Sequence, residues 1–322
     1  MNKIPCLLPI ALAASFCTPL MAQTAWPDKP VRIVVPYAAG GTTDFAARQV
    51  AQKLTEQTGQ SFFVENKTGA SGTIGSNFVA KSAPDGNTLL TNDTTYAMLP
   101  AIFRKLPWDH ASDLIPVTTL AITPVVLVVP AESPFKTVAD LIAFAKTHPG
   151  QLNFGSGGAG SSSHLSGEVF KKEARVFMTH IPYKGAGDAL LALMGRQVDV
   201  LITASPTAIP VVKGGKVRAL ATTGDKRLSS LPAVPTFKEA GLPGFAVINW
   251  FGLAAPKGTP AGIVQKLQQE VARAMTDPGL TERFSQQGAQ PGGMPSPEFA
   301  ALVRREIGSW SSVAQAAGVQ PE

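Results

Sequence analysis

Beyond residue 22 the chain contains no cysteine, because both thiols, Cys6 and Cys17, fall within the first 22 positions. A chain without thiols enters an oxidising compartment without mispairing, and it carries neither a disulfide framework nor a thiolate metal site. Charge is scarce as well, at 16% of 322 residues, and aromatics are scarcer at 7%. Set against 44% hydrophobic residues, so little charge excludes a disordered chain. The lack of basic–aromatic clusters excludes a nucleic-acid reader, despite a formal net charge of +6. Past the first 22 residues no apolar run reaches the roughly 18 residues of a membrane span.

Catalytic apparatus is missing too. There is no G-x-S-x-G elbow and no G-x-x-x-x-G-K-[ST] phosphate loop. The four histidines, His110, His148, His164 and His180, are isolated in sequence, and no two have the spacing of a metal pair. Gly155-x-Gly157-x-x-Gly160 matches the dinucleotide fingerprint. That fingerprint needs an acidic residue about 20 positions on, and none lies between Glu173 and Asp188. The chain is therefore not expected to be an enzyme, and no cofactor or metal is expected.

Residues 1–22 have the order of a cleaved secretory signal: Lys3, an apolar stretch over residues 4–16, then Leu20-Met21-Ala22 at the cleavage site. Phe16 precedes Cys17 where a lipobox requires a small residue, so lipidation is not expected. Removing Lys3 leaves 27 basic against 22 acidic residues, a net +5 for the exported chain.

Short apolar runs then alternate with helical patterns. Strands are expected over residues 31–35, 62–64, 88–90, 125–129, 152–154, 176–181, 198–203 and 217–222. Helices are expected over residues 45–54, 74–81, 141–146, 263–275 and 299–313. Thr137 and Asp140 form a capping box, and Thr259-Pro260 reads as an N-cap with proline in the first turn. About ten strand–helix units exceed one compact sheet, so two α/β lobes with parallel sheets and a ligand between them are expected.

Four strand-to-helix loops are rich in small polar residues: residues 37–44, 66–72, 155–164 and 183–188. Each leaves backbone N–H groups at a helix start beside hydroxyls, an arrangement that favours an anion. Tyr37 and Tyr183 read either as ligand contacts or as packing at a lobe edge. Asp44 reads as a partner for a ligand ammonium or as a cap on its own helix, and His164 as a capping or packing residue.

Several of these segments resemble the Bug family, the solute receptors of tripartite tricarboxylate transporters. The resemblance rests on residues 26–44 (Trp-Pro-Asp-Lys-Pro-Val-Arg-Ile-Val-Val-Pro-Tyr-Ala-Ala-Gly-Gly-Thr-Thr-Asp), residues 64–75, 155–164, 181–187 and 195–199, and continues with residues 217–223, 234–245 and 250–256. It implies a type II periplasmic-binding-protein-like α/β fold with two lobes joined by two crossing strands. Residues 26–124 and 246–322 would form one lobe and residues 125–245 the other, crossing near residues 119–126 and 245–253. It further implies a periplasmic, monomeric receptor for a di-/tricarboxylic or aromatic acid, gripped by hinge closure and handed to the membrane subunits of a transporter; signalling to a membrane sensor kinase is the alternative. Carried over residue by residue, the contacts would be Tyr37, Ala39, Gly41, Thr42, Thr43 and Asp44 from one lobe. The other lobe would add Ser156, Gly158, Ser161, Ser162, Ser163, His164 and Tyr183, with Thr203, Ser205 and Asp93 as further candidates.

Overall fold

The structure, a computed structural model, describes residues 26–316 together with 319 and 321; the segment expected to be a cleaved signal, residues 1–22, lies outside them. Ten strands, ten α-helices and a short 3-10 helix (Ala70–Gly72) are present among the described residues. The first lobe begins with β1 (Val31–Val35), whose β-branched run is buried on both faces, as a parallel central strand requires. β1 lies between β2 (Phe62–Asn66) and β3 (Thr88–Asp93), parallel to both. Helices α1 (Thr42–Thr58), α2 (Thr73–Ala80) and α3 (Thr94–Ile102) follow these strands.

β4 (Leu114–Pro130) is 17 residues long, roughly 55 Å at the rise of an extended strand, and belongs to both lobes. Up to Pro124 it pairs antiparallel with β9 (Ile248–Pro256). From Val125 it pairs with β7 (Val200–Ala204) on one side and β8 (Val217–Thr222) on the other. Proline has no N–H to give a ladder, and Pro124 stands where the partners change. The expected strand over residues 125–129 is thus only the second half of a longer one.

In the second lobe β7 continues through β5 (Asn153–Ser156) to β6 (Thr179–Pro182), with parallel pairing. Helices α4 (Val138–Thr147), α5 (Ser162–Ala174), α6 (Ala186–Met194) and α7 (Ser205–Lys213) complete it. The Thr137–Asp140 capping box is present at α4. The chain returns along β9 to the first lobe, where α8 (Ala261–Met275), α9 (Pro278–Gln286), β10 (Gln290–Pro291) and α10 (Ser296–Ala316) cover the sheet. α8 buries Leu267, Val271 and Met275 on one stripe, as its period requires. Its N-cap, however, is Pro260 without a side-chain cap. The hydroxyl expected to cap it, on Thr259, instead donates to the Pro256 carbonyl at 2.8 Å.

Among the described residues no helix is long and apolar enough to cross a membrane. No group of three His, Cys, Asp or Glu side chains there could hold a metal ion.

Candidate functional site

The two lobes are closed around a cavity of about 40 Å³, well below the roughly 300–1,000 Å³ of small-ligand sites. The first lobe lines it with Tyr37, Ala38, Gly41, Thr42 and Thr43 from the β1–α1 loop, Asp93 and Thr95 from the start of α3, and Asn249 and Phe251 from β9. The second lobe contributes Gly157, Ser161, Ser162, Ser163, Ala186, Thr203, Ala204 and Thr207. Apart from Asn249 and Phe251, which lie within antiparallel β9, these residues sit at or beyond the carboxyl ends of parallel strands, where open α/β sheets take their ligands.

Helix starts converge on this space. α1, α6 and α7 begin at Gly41, Gly185 and Ala204, and none has a side-chain cap. Their first N–H groups and the positive ends of their dipoles face a cavity without any Lys, Arg or His in its lining. Such a wall suits an anion held by backbone N–H groups and hydroxyls, with no ion pair.

One acid lies in the same wall. Asp93 caps α3 by accepting from the Thr95 N–H at 2.9 Å. It also accepts from the Thr43 hydroxyl at 2.9 Å and the Tyr37 hydroxyl at 3.1 Å. Burial pushes its carboxyl above the ordinary range, against the hydrogen bonds from Thr95, Thr43 and Tyr37 that favour the ionised form. Burial, seconded by the Asp93 charge, raises the Tyr37 phenol well above its ordinary value.

The lobes are closed on each other. The Ser162 N–H donates to Thr95 Oγ1 at 3.0 Å, and the Thr42 and Thr207 hydroxyls are 2.8 Å apart. Ser71, from the second small-residue loop, donates to the Ala159 carbonyl at 2.5 Å. A Cβ on Gly187 would lie 2.6 Å from the Ala39 carbonyl oxygen, so only glycine allows that approach.

The chain matches the model of the tripartite tricarboxylate transporter family receptor over residues 46–319. It belongs to this receptor family. The structure of the periplasmic binding protein BugD is 33% identical, covering 92% of this chain and 100% of its own, with a TM-score of 0.88. A protein from R. palustris solved with adipate is 38% identical over 92% of this chain and 100% of its own, with a TM-score of 0.89. MatC from Rhodopseudomonas palustris, solved with malate, is 37% identical over 89% and 99%, with a TM-score of 0.83. The family and these neighbours are substrate-binding proteins, not enzymes, and the fold is that of periplasmic binding proteins. The chain is accordingly a periplasmic solute-binding receptor.

Within this receptor the residues singled out in the sequence divide into two groups. Tyr37, Gly41, Thr42, Thr43, Ser161, Ser162, Ser163 and Thr203 come together around the cavity, as does Asp93. Ala39, Asp44, Ser156, Gly158, His164 and Tyr183 do not line it. Ala39 is exposed and Ala38 takes its place, since Ala39 turns its carbonyl toward α6 across the seam. Asp44 accepts from the Gly40 N–H and binds Arg48 and Asn66. Burial would raise its carboxyl, but the Arg48 and Asn66 bonds outweigh this and hold it below the ordinary range; it caps its own loop. Ser156 is fully buried and bonds His180 at 2.5 Å. His164 accepts the Gly160 N–H at 2.9 Å and stacks on His180 at 3.8 Å, which makes it a packing residue. Gly158 lies on the seam opposite Ser71, and Tyr183 packs in the apolar cluster of β7 and α6. Ser205 donates to the Gly288 carbonyl at 3.0 Å and is also outside the lining.

Thr95, Thr207, Ala186, Asn249 and Phe251 line the cavity without having been singled out as contacts. Asn249 and Phe251 alternate on one face of a strand expected only as a crossing, and Thr207 follows Ser205-Pro206 at a strand end, a weak helix-start signal.

Proposed function

We propose that this receptor binds a small carboxylate between its lobes and passes it, in the closed state, to the membrane subunits of a tripartite tricarboxylate transporter. The observation that carries this reading is the cavity wall of three uncapped helix starts and hydroxyls with no cationic side chain. The adipate and malate found in related structures are small carboxylates of the same kind.

The lobe division follows the crossings at Pro124 and before Ile248: residues 26–124 and 246–316 belong to one lobe and residues 125–245 to the other. Only contacts made to both units at once favour closure, because a ligand bound equally well to open and closed states shifts nothing. A micromolar dissociation constant corresponds to about −8 kcal/mol, within reach of several charge-assisted hydrogen bonds in a desolvated cleft. The chain acts as a monomer, exported by a cleaved signal and not lipidated.

A thermal-shift titration of the exported chain against mono-, di- and tricarboxylates and aromatic acids tests the reading. Binding to the native state raises Tm with ligand concentration. A panel without any shift, run on protein freed of retained ligand, contradicts it.

A further inference from the structure

The turn between β5 and α5, residues 157–161, serves both the cavity and the seam. Gly157 and Ser161 line the cavity, followed by Ser162 and Ser163. Across the seam the Ala159 carbonyl accepts from Ser71, and the Ser162 N–H donates to Thr95. Ala159 stands between Gly158 at φ 132° and Gly160 at φ 70°, a left-handed path that favours glycine. Whatever fixes these two glycines therefore fixes the seam.

Two imidazoles outside the lining do so. The Gly160 N–H donates to His164 Nδ1 at 2.9 Å, so His164 keeps its one proton on Nε2, 3.6 Å from Glu168. Ser156 donates to the Gly158 carbonyl at 3.0 Å and accepts from the Gly158 N–H at 3.2 Å. With its own proton committed there, Ser156 accepts the Nε2 proton of His180, 2.5 Å away. The two rings stack 3.8 Å apart at 14°, beside Phe154 of β5.

Few charges face the pair. Glu168 is bonded by Lys171 at 2.7 Å, and Lys171 lies 5.5 Å from the centre of the Phe154 ring. Strands β5, β6 and β7 and helix α3 bring no charged side chain. On α10, Glu298, Arg304 and Arg305 are exposed and Glu306 accepts from Trp310 at 2.6 Å. Burial, seconded by the His164 ring, lowers the pKa of His180 from 6.5 to about 3. A second proton on His164 would sit on Nδ1 and abolish the acceptor for Gly160. On either ring it would put an unpaired cation into the stack.

We infer that the stacked His164–His180 pair positions the α5 turn for ligand capture while both rings are neutral, and that proton uptake by the pair releases the turn and weakens the hold on ligand in acid. The control of the turn stands on the loop itself; the effect on ligand rests on the interlobe cavity being the binding site.

Hydrogen exchange over residues 157–164 of the unliganded exported chain, with calorimetric titration of malate and adipate, tests both parts. At pH 7.5 His164→Phe keeps a ring and removes the acceptor. It is expected to exchange at least about tenfold faster in the turn and to bind at least about tenfold more weakly. His164→Asn, whose Oδ1 can stand where Nδ1 stood, is expected to recover most of both losses. A ring that takes a proton near pH 6.5 with the turn released, and near pH 3 with it held, favours release up to about thirtyfold more at pH 5.0 than at pH 7.5. Wild-type exchange, corrected for the pH dependence of free amides, is therefore expected to quicken about ten- to thirtyfold, and that of His180→Gln much less. The ligands' own protonation is common to the two proteins, so wild-type affinity is expected to fall relative to that of His180→Gln. Exchange that responds neither to His164→Phe nor to pH overturns the inference, and binding of either acid then leaves the carboxylate reading standing. A turn that loosens while affinity holds overturns the positioning role. Silence from both acids bears on the carboxylate reading alone, and exchange then decides. Where a variant fails to fold, as its melting curve shows, the wild-type exchange at the two pH values decides.

Discussion

The loops that open α1 and α5 look alike in sequence and differ in what they leave free. Both follow a parallel strand, and both are runs of glycine and hydroxyl residues. The α5 loop satisfies itself. Ser161 accepts the His164 N–H, Ser163 accepts the Gly157 N–H and the His164 ring accepts the Gly160 N–H. The α1 loop starts its helix at Gly41 with no side-chain cap, and the hydroxyl of Thr43 is turned to Asp93. Glycine content therefore does not identify an anion site. What identifies it is whether a hydroxyl or imidazole already stands where the N–H groups point.

Four changes put that contrast to the test. The largest effect is expected at Gly187→Ala, which places a methyl 2.6 Å from the Ala39 carbonyl across the seam. Overpacking of this kind costs about 1–3 kcal/mol, felt only when the lobes close. Calorimetry should show a roughly 10- to 100-fold loss of affinity with Tm of the unliganded protein nearly unchanged.

Acid comes next. Burial, with the neighbouring His164 ring, lowers the pKa of His180 from 6.5 to about 3. The unfolded chain takes up a proton on this residue near pH 6.5 and the folded one does not until about pH 3. Stability is thus full above pH 6.5 and is lost as pH falls toward 3, on the order of 2 kcal/mol by pH 4. Denaturant melts of the wild type should fall over that window, and those of His180→Phe should fall by less.

Gly41→Ser gives the open loop the cap it lacks. A Cβ there meets nothing closer than 3.7 Å, and the backbone is extended at φ −83°. The new hydroxyl should raise unliganded stability by a few tenths of a kcal/mol while weakening ligand binding about tenfold by competing for the same N–H groups. Ser161→Ala is its converse in the closed loop, costing about 1 kcal/mol of stability and much less affinity, read from paired melts and titrations.

Much of the architecture was legible from local pattern. The β-branched run of β1, the apolar stripe of α8 and the Thr137–Asp140 capping box each specify an element without help from elsewhere. The four loops were legible for the same reason, since strand, small residues and helix are consecutive. Their division of labour was not. Asp44 is neutralised by Arg48 and by Asn66 from β2, and His164 is fixed by Gly160 and by His180 from β6. These are satisfactions that only tertiary structure supplies. Thr95, Thr207 and Asn249 escaped because they come from α3, α7 and β9, which share the cavity only once the lobes close. The Thr259 cap also failed to appear: Pro260 is the N-cap of α8, and the Thr259 hydroxyl donates to the Pro256 carbonyl in the preceding turn.

On the proposed reading, uncapped helix starts in the closed interlobe cavity hold the ligand's carboxylate. A crystal structure of the receptor with the tightest acid from the titrations tests it directly. Carboxylate oxygens are expected within hydrogen-bond distance of backbone N–H groups at the starts of α1, α6 or α7. A ligand seated instead in the groove behind the crossing strands, beside Lys226 and Arg227, would contradict it.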